Sequence, residues 1–186
     1  MSQNPTDAGT LFREHAAFVA GFLVRLGAAR TEIEDLVQEI FLVAHRRGGY
    51  VPGPARPTTW LAEIAVRVVS TARRTRRRRP EEPDGDALAL LCTPGGDPES
   101  RAETTQMLTR VQRALEAIPI ERRAIFVLFE IEGEACDAIA AGLEIPVKTV
   151  YSRLHTARKE FADAYERLER TAPKSVATTL TSMVRP

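Results

Sequence analysis

Residues 80–100, PEEPDGDALALLCTPGGDPES, hold four prolines, three glycines and six acidic residues, and they divide the chain. Proline lacks the amide donor that a helix interior needs and glycine loses the most backbone freedom on ordering, so this stretch opposes a continuous helix and reads as a linker. It leaves 1–79 and 101–170 as two small units, with a tail at 171–186. Neither unit sustains strand-like alternation, whereas apolar residues recur at helical spacing in both. Helices are expected near 8–27, 31–47 and 58–78, then near 98–117, 120–132, 134–142 and 147–169. Asp97 followed by Pro98 supplies a helix-start signal. The expected fold is all-α: two small helical bundles joined by a flexible acidic linker, the second ending in a helix-turn-helix.

Charge is partitioned along the chain in the same way. Counting Lys and Arg against Asp and Glu, residues 1–79 carry +6, 80–100 carry −6, 101–170 carry −1 and the tail +2, for a net charge of +1. Most of the first excess lies in RRTRRRR, Arg73 to Arg79, a block suited to phosphate backbones and able to pair with the acidic linker. No apolar run approaches the roughly 20 residues of a membrane span, and the N-terminus lacks a signal-peptide pattern, so a cytoplasmic protein without membrane insertion is expected. Cys92 and Cys136 have neither metal nor redox spacing and read as small apolar residues. His15, His45 and His155 fall on separate expected helices, and neither a phosphate-cradling glycine loop nor a nucleophile elbow occurs. An enzyme, a cofactor, a metal and a small-molecule substrate are therefore not expected.

Within the first unit, TEIEDLVQEIFLVAHRR (31–47) places Ile33, Leu36, Val37, Ile40, Phe41 and Ala44 on one stripe at about 100° per residue. Thr31 and Glu34 have the spacing of a capping box. The opposite face carries Asp35, Gln38, Glu39 and Arg46 around Leu42, and a purely solvated face has little use for a central leucine. In the second unit, EACDAIAAGLEIPVKTVYSRLHTARKEF (134–161) reads as short helix, tight turn, longer helix. Val147, Val150, Leu154, Ala157 and Phe161 form its expected buried stripe. Lys148, Ser152 and Lys159 lie opposite, flanked by Thr149, Arg153, His155 and Thr156, which are donors suited to phosphates and base edges.

Together, DLVQEIFLVAHRR, TTWLAEIA ahead of the arginine run, and IEGEACDAIAAGLEIPVKTVYSRLHTARKEF resemble the small two-region sigma factors of the extracytoplasmic-function type, over about residues 8 to 168. The resemblance implies a promoter-recognition subunit of bacterial RNA polymerase. Residues 1–79 would be region 2, which binds core polymerase and the −10 element, and residues 101–170 would be region 4, which binds the −35 element. By position, Asp35, Gln38, Glu39 and Leu42 would contact the polymerase clamp. The loop YVPGPARPTT (50–59) would capture a flipped base and the following helix would track single-stranded DNA, with Tyr50, Arg56, Arg67, Thr71, Arg74 and Arg78 as candidates. Trp60 continues the apolar stripe and reads as core. Lys148, Thr149, Ser152, Arg153, His155, Thr156 and Lys159 would meet the −35 duplex, and an anti-sigma factor is an expected partner. Some positions depart from the family pattern: Arg67 stands where Asn is common and Thr71 where Asp or Asn is. Glu144 replaces the turn glycine, Thr156 a basic residue, and Cys136 and Ala138 an aromatic and an acidic one. A left-handed Glu144 would cost roughly 1 kcal/mol. The alternative reading is a helix-turn-helix regulator that acts without polymerase.

Overall fold

The computed structural model describes residues 4–76 and 98–171, with backbone alone at 75–76 and 98–103. Arg78, Cys92, Asp97, most of the linker and the tail lie outside the described residues. Helix α1 (Ala8–Arg25) opens on Asp7, whose carboxylate accepts from the amides of Gly9 at 2.9 Å and Thr10 at 3.1 Å. Hydrogen bonds from the Thr10 hydroxyl and amide hold that carboxyl below its ordinary pKa. The helix ends before 27 because Gly27 takes φ 80° and the amides of Gly27 and Ala28 fold back onto the carbonyls of Val24 and Leu23.

Helix α2 (Ile33–Arg46) buries Ile33, Leu36, Val37, Ile40, Phe41 and Ala44, the stripe expected from periodicity. The capping box does not form. Residues Arg30–Glu32 make a 3-10 turn that satisfies the first amides through the carbonyls of Ala29 and Arg30, and Thr31 lies inside it. Glu32 occupies the cap position with helical backbone and its side chain does not cap the helix, whereas a capping side chain needs an extended residue there. Helix α3 (Pro57–Arg76) follows the proline-rich loop, with Pro57 at its first position. The three helices pack pairwise around Phe22, Leu23, Ile40, Leu61 and Ile64.

The second bundle comprises α4 (Pro98–Glu116), α5 (Ile120–Phe126), α6 (Cys136–Gly142) and α7 (Val147–Thr171). After α5 the chain continues as one π turn, Val127–Ile131, in which the Glu132 amide reaches back five residues to the Val127 carbonyl. Helix α7 packs against the other three, burying Val150, Leu154 and Ala157, while Val147 at its start stays 37% exposed. Arg122 grips Glu160 through two bonds of 3.0 and 2.6 Å, tying α5 to α7, and this pairing raises its pKa. Cys136 is a buried free thiol, as its apolar reading expects.

The two bundles are docked, with α3 against α5 and α6, and their buried residues form one continuous cluster. Arg123 of α5 is 3% exposed and reaches the Leu26 carbonyl at the end of α1 at 2.6 Å. It also donates to the carbonyls of Glu116 and Ile118 at 2.7 and 2.9 Å. Burial, and then the charge of Arg73, pull its pKa down to about 10, so it remains protonated at neutral pH. Gln112 donates to the Val24 carbonyl at 2.8 Å, and Arg25 pairs with Glu132 at 3.1 Å. Helix C-termini carry partial negative charge, so the end of α1 is a receptor for Arg123 and Gln112.

Candidate functional site

Asp35, Gln38, Glu39 and Leu42 are all exposed, and they follow one another at i, i+3, i+4 and i+7 along α2. The structure therefore brings the four expected residues onto one face. Leu42 is 53% exposed at its centre, although Phe41 beside it is buried and edge-on to Phe12, with ring centroids 5.1 Å apart.

The loop expected at 50–59 is shorter, ending at Arg56 because Pro57–Thr59 already belong to α3, and it is pinned at its base. Thr6 and Tyr50 exchange backbone hydrogen bonds of 2.8 and 3.0 Å, and a Cβ on Gly49 would collide with the Thr6 carbonyl. Tyr50 is 8% exposed; its ring tilts against Trp60 at 5.9 Å and its hydroxyl donates to the Ala55 carbonyl at 2.6 Å. That places it as an internal brace, with no open face on which a base could stack. The exposed apolar side chain of the loop is Val51, at 62%, to which the sequence pattern gives no separate signal. Trp60 packs against the core as expected.

On α3, Arg67, Thr71 and Arg74 are exposed, and Thr71 bonds back to the Arg67 carbonyl. Arg67 forms ion pairs with Glu63 of its own helix and, at 3.2 Å, with Glu144 of the second bundle. Arg56 is exposed and lies 3.7 Å from Glu134. Arg73, first of the arginine block, turns inward instead, donating to the carbonyls of Leu26 at 2.5 Å and Gly27 at 3.2 Å. Burial lowers its pKa, against the raising effect of Glu116. It is a partly buried cation held on the carbonyls at the end of α1.

On α7, Lys148, Ser152, His155, Thr156 and Lys159 are exposed, and Thr149 and Arg153 are half-buried. Arg153 lines a crevice of about 160 Å³ between the bundles, together with Glu63, Arg67, Leu143 and Ile145. Sequence reasoning misses Tyr151, 58% exposed and three residues beyond Lys148, on the flank of the same face. An exposed tyrosine offers an apolar ring and a polar tip at low entropic cost. Glu144 does take the left-handed conformation, at φ 54°. The turn keeps its shape, so Glu144 bears the strain that glycine would avoid.

Among the described residues no cluster of His, Cys, Asp or Glu could hold a metal, and no helix is long and apolar enough to cross a membrane. What the surfaces offer is an apolar-centred acidic patch and a separate face of cations and hydroxyls, fitted to binding.

Comparison with known proteins gives the same division. Residues 11–79 match the family described as Sigma-70 region 2, and residues 108–161 match Sigma-70, region 4. The chain is 29% identical to the RNA polymerase sigma-H factor of Pseudomonas aeruginosa over 161 residues, covering 83% of each protein. It is 33% identical to the ECF RNA polymerase sigma-E factor of Escherichia coli K12 over 135 residues, covering 69% of this chain and 71% of that one. Its fold is similar, with a TM-score of 0.61 at 17% identity, to the sigma factor RpoE of Bartonella quintana, solved in complex with the anti-sigma factor NepR. That likeness covers 83% of this chain and 94% of the other. The chain belongs to the extracytoplasmic-function family of RNA polymerase sigma factors, the subunits that give core polymerase its promoter specificity.

Proposed function

We propose that this sigma factor docks on core RNA polymerase through Asp35, Gln38, Glu39 and Leu42, and reads the −35 duplex through the exposed face of α7. The single observation that carries the reading is that this basic, hydroxyl-rich face stays open to solvent while the other side of the same helix is core. Lys148 and Lys159 supply phosphate contacts, whereas Ser152, His155 and Tyr151 lie where base edges would be read. The loop after Tyr50 and the exposed side of α3 form the −10 surface, with Arg56, Arg67, Thr71 and Arg74 toward the single strand. The protein works in the cytoplasm, with units at 1–79 and 101–170, and an anti-sigma factor is its natural antagonist.

The direct test is run-off transcription with core polymerase on a promoter found by mapping transcripts after overexpression. Specific initiation only in the presence of this chain is the expected result. A helix-turn-helix regulator would instead bind duplex DNA but neither bind core enzyme nor initiate. A narrower prediction concerns α7. Lys148→Ala and Lys159→Ala should each weaken duplex binding about equally across sequences and lower the salt slope by about one. Titrations at several salt concentrations check this, and an unchanged slope would remove the phosphate assignment.

A further inference from the structure

The chain has three tyrosines, and two of them are engaged within the protein. Tyr50 is bonded through its hydroxyl and tilted on Trp60, and Tyr165 stacks on Phe161 with centroids 5.9 Å apart. Tyr151 is 58% exposed and, among the described residues, has neither a hydrogen bond nor a ring contact. Four residues earlier stands Val147, also exposed although it continues the apolar side of the helix. Side chains at i and i+4 of a helix lie about 5–6 Å apart at Cβ, so the two form an apolar ridge beside Lys148 and Ser152. A single exposed aromatic is ordinary on a protein surface, but this one belongs to a pair on consecutive turns at the start of a recognition helix.

The surrounding side chains narrow what that ridge can read. A helix-turn-helix meets base edges with the N-terminal residues of its second helix, here Val147 to His155. The arginine of that stretch, Arg153, is half-buried and lines the crevice between bundles, so no guanidinium points outward to grip a guanine. The hydroxyls of Ser152 and Thr156 donate to the carbonyls of Thr149 and Ser152 at 3.1 and 3.0 Å, which leaves them as acceptors. An apolar ridge finds one apolar group on the major-groove edges of the bases, the 5-methyl of thymine. A methyl carbon seated over the gap between Val147 and Tyr151 touches both at the about 4.0–4.5 Å of an apolar contact.

We propose that Tyr151 and Val147 read a thymine of the −35 duplex through its 5-methyl group, and that this contact sets part of the promoter specificity of this sigma factor. This rests on the assignment of the α7 face to the −35 duplex. Lys148 and Lys159 hold the register on phosphates and carry no sequence information, whereas the ridge discriminates between bases. The aromatic ring does the reading, so the tyrosine hydroxyl is dispensable for it.

Deoxyuridine differs from thymidine by that methyl alone, and it supplies the test. Core polymerase carrying the full-length chain is titrated with promoter duplexes in which each thymine of the −35 element is replaced in turn by deoxyuridine. At one position the replacement should weaken wild-type binding about fourfold, the effect of one buried methyl. With Tyr151→Ala the thymine and deoxyuridine duplexes should bind alike, while the salt slope stays that of the wild type because the phosphate contacts remain. Tyr151→Phe should keep the fourfold preference, and Val147→Ala should reduce it. Because Tyr151 is exposed and unpartnered, circular dichroism should be the same for wild type and the Tyr151 variants. A wild-type holoenzyme indifferent to every methyl in the element overturns the proposal, as does a preference that survives Tyr151→Ala. So does a Tyr151→Ala chain that loses affinity for core polymerase in the absence of DNA, since the ridge would then face protein. If the −35 element can be replaced entirely without loss of affinity, the reading of α7 itself fails and this inference falls with it. Affinity that depends on the element but on none of its methyls leaves that reading standing and removes only the role given to the ridge.

Discussion

Leu42→Arg is expected to reduce affinity for core RNA polymerase by at least about thirtyfold, a loss of about 2 kcal/mol or more at a central apolar anchor. Leu42 is 53% exposed in the free chain, and its neighbours on the face, Asp35, Gln38 and Glu39, are polar and exposed. In such a patch the central apolar group is dehydrated on binding and the rim charges steer association more than they hold it. Replacement by arginine would place a hydrated cation where that desolvation must occur. The helix itself should be indifferent, because arginine and leucine have similar helix propensity and the buried stripe of α2 lies on the other side. Circular dichroism should therefore match wild type while titration against core enzyme shows the loss. Asp35→Asn should have a smaller effect, concentrated in the association rate and fading with added salt. If Leu42→Arg binds core enzyme as wild type does, the docking face lies elsewhere.

That face is readable from sequence because a leucine out of phase with a clean 100° stripe has no core to enter. The helix-turn-helix is readable for a related reason: the period, the turn and the hydroxyl-rich face fall within 28 consecutive residues. Contacts distant in sequence are not readable in this way. Tyr50 looks like a stacking platform when it is the loop's one aromatic, but pairing with Thr6 and the carbonyl of Ala55 turn it inward. Arg73 looks like one of a run of equivalent cations, yet its guanidinium ends on carbonyls 46 and 47 residues earlier. Periodicity tells which side of a helix is apolar, but not which helix end will lie beside it.

The same limit hides the docking of the bundles. Two amphipathic units separated by an acidic linker suggest independent bodies, and Gly142 reads merely as part of a turn. Only the folded chain shows that its missing side chain admits Thr59. Among the candidate site residues, those on a solvent face of one helix are brought together as expected, while Arg67 and Arg153 are drawn to the crevice between bundles.

Arg123→Met is expected to destabilise the chain by about 3 kcal/mol, from three buried carbonyls that each lose a charged donor at about 1 kcal/mol or more. Methionine fills comparable space with a flexible apolar chain, so the cost comes from unpaired polar groups and not from a cavity. Replacing a buried charge by an apolar residue can stabilise a protein when its partners are removed with it. Here the partners are the main-chain carbonyls of Leu26, Glu116 and Ile118, which no side-chain change can remove. Two of them belong to the end of α4 and the turn after it, so the guanidinium also neutralises a helix C-terminus within its own bundle. The adjacent Arg122→Met should be milder, because it removes a half-exposed pair with Glu160. For a domain of this size a loss of that order lowers the melting temperature by about 6–12 °C. Calorimetry on the two variants decides the ordering, and an Arg123→Met protein that melts with the wild type would show that the buried guanidinium contributes nothing net to stability.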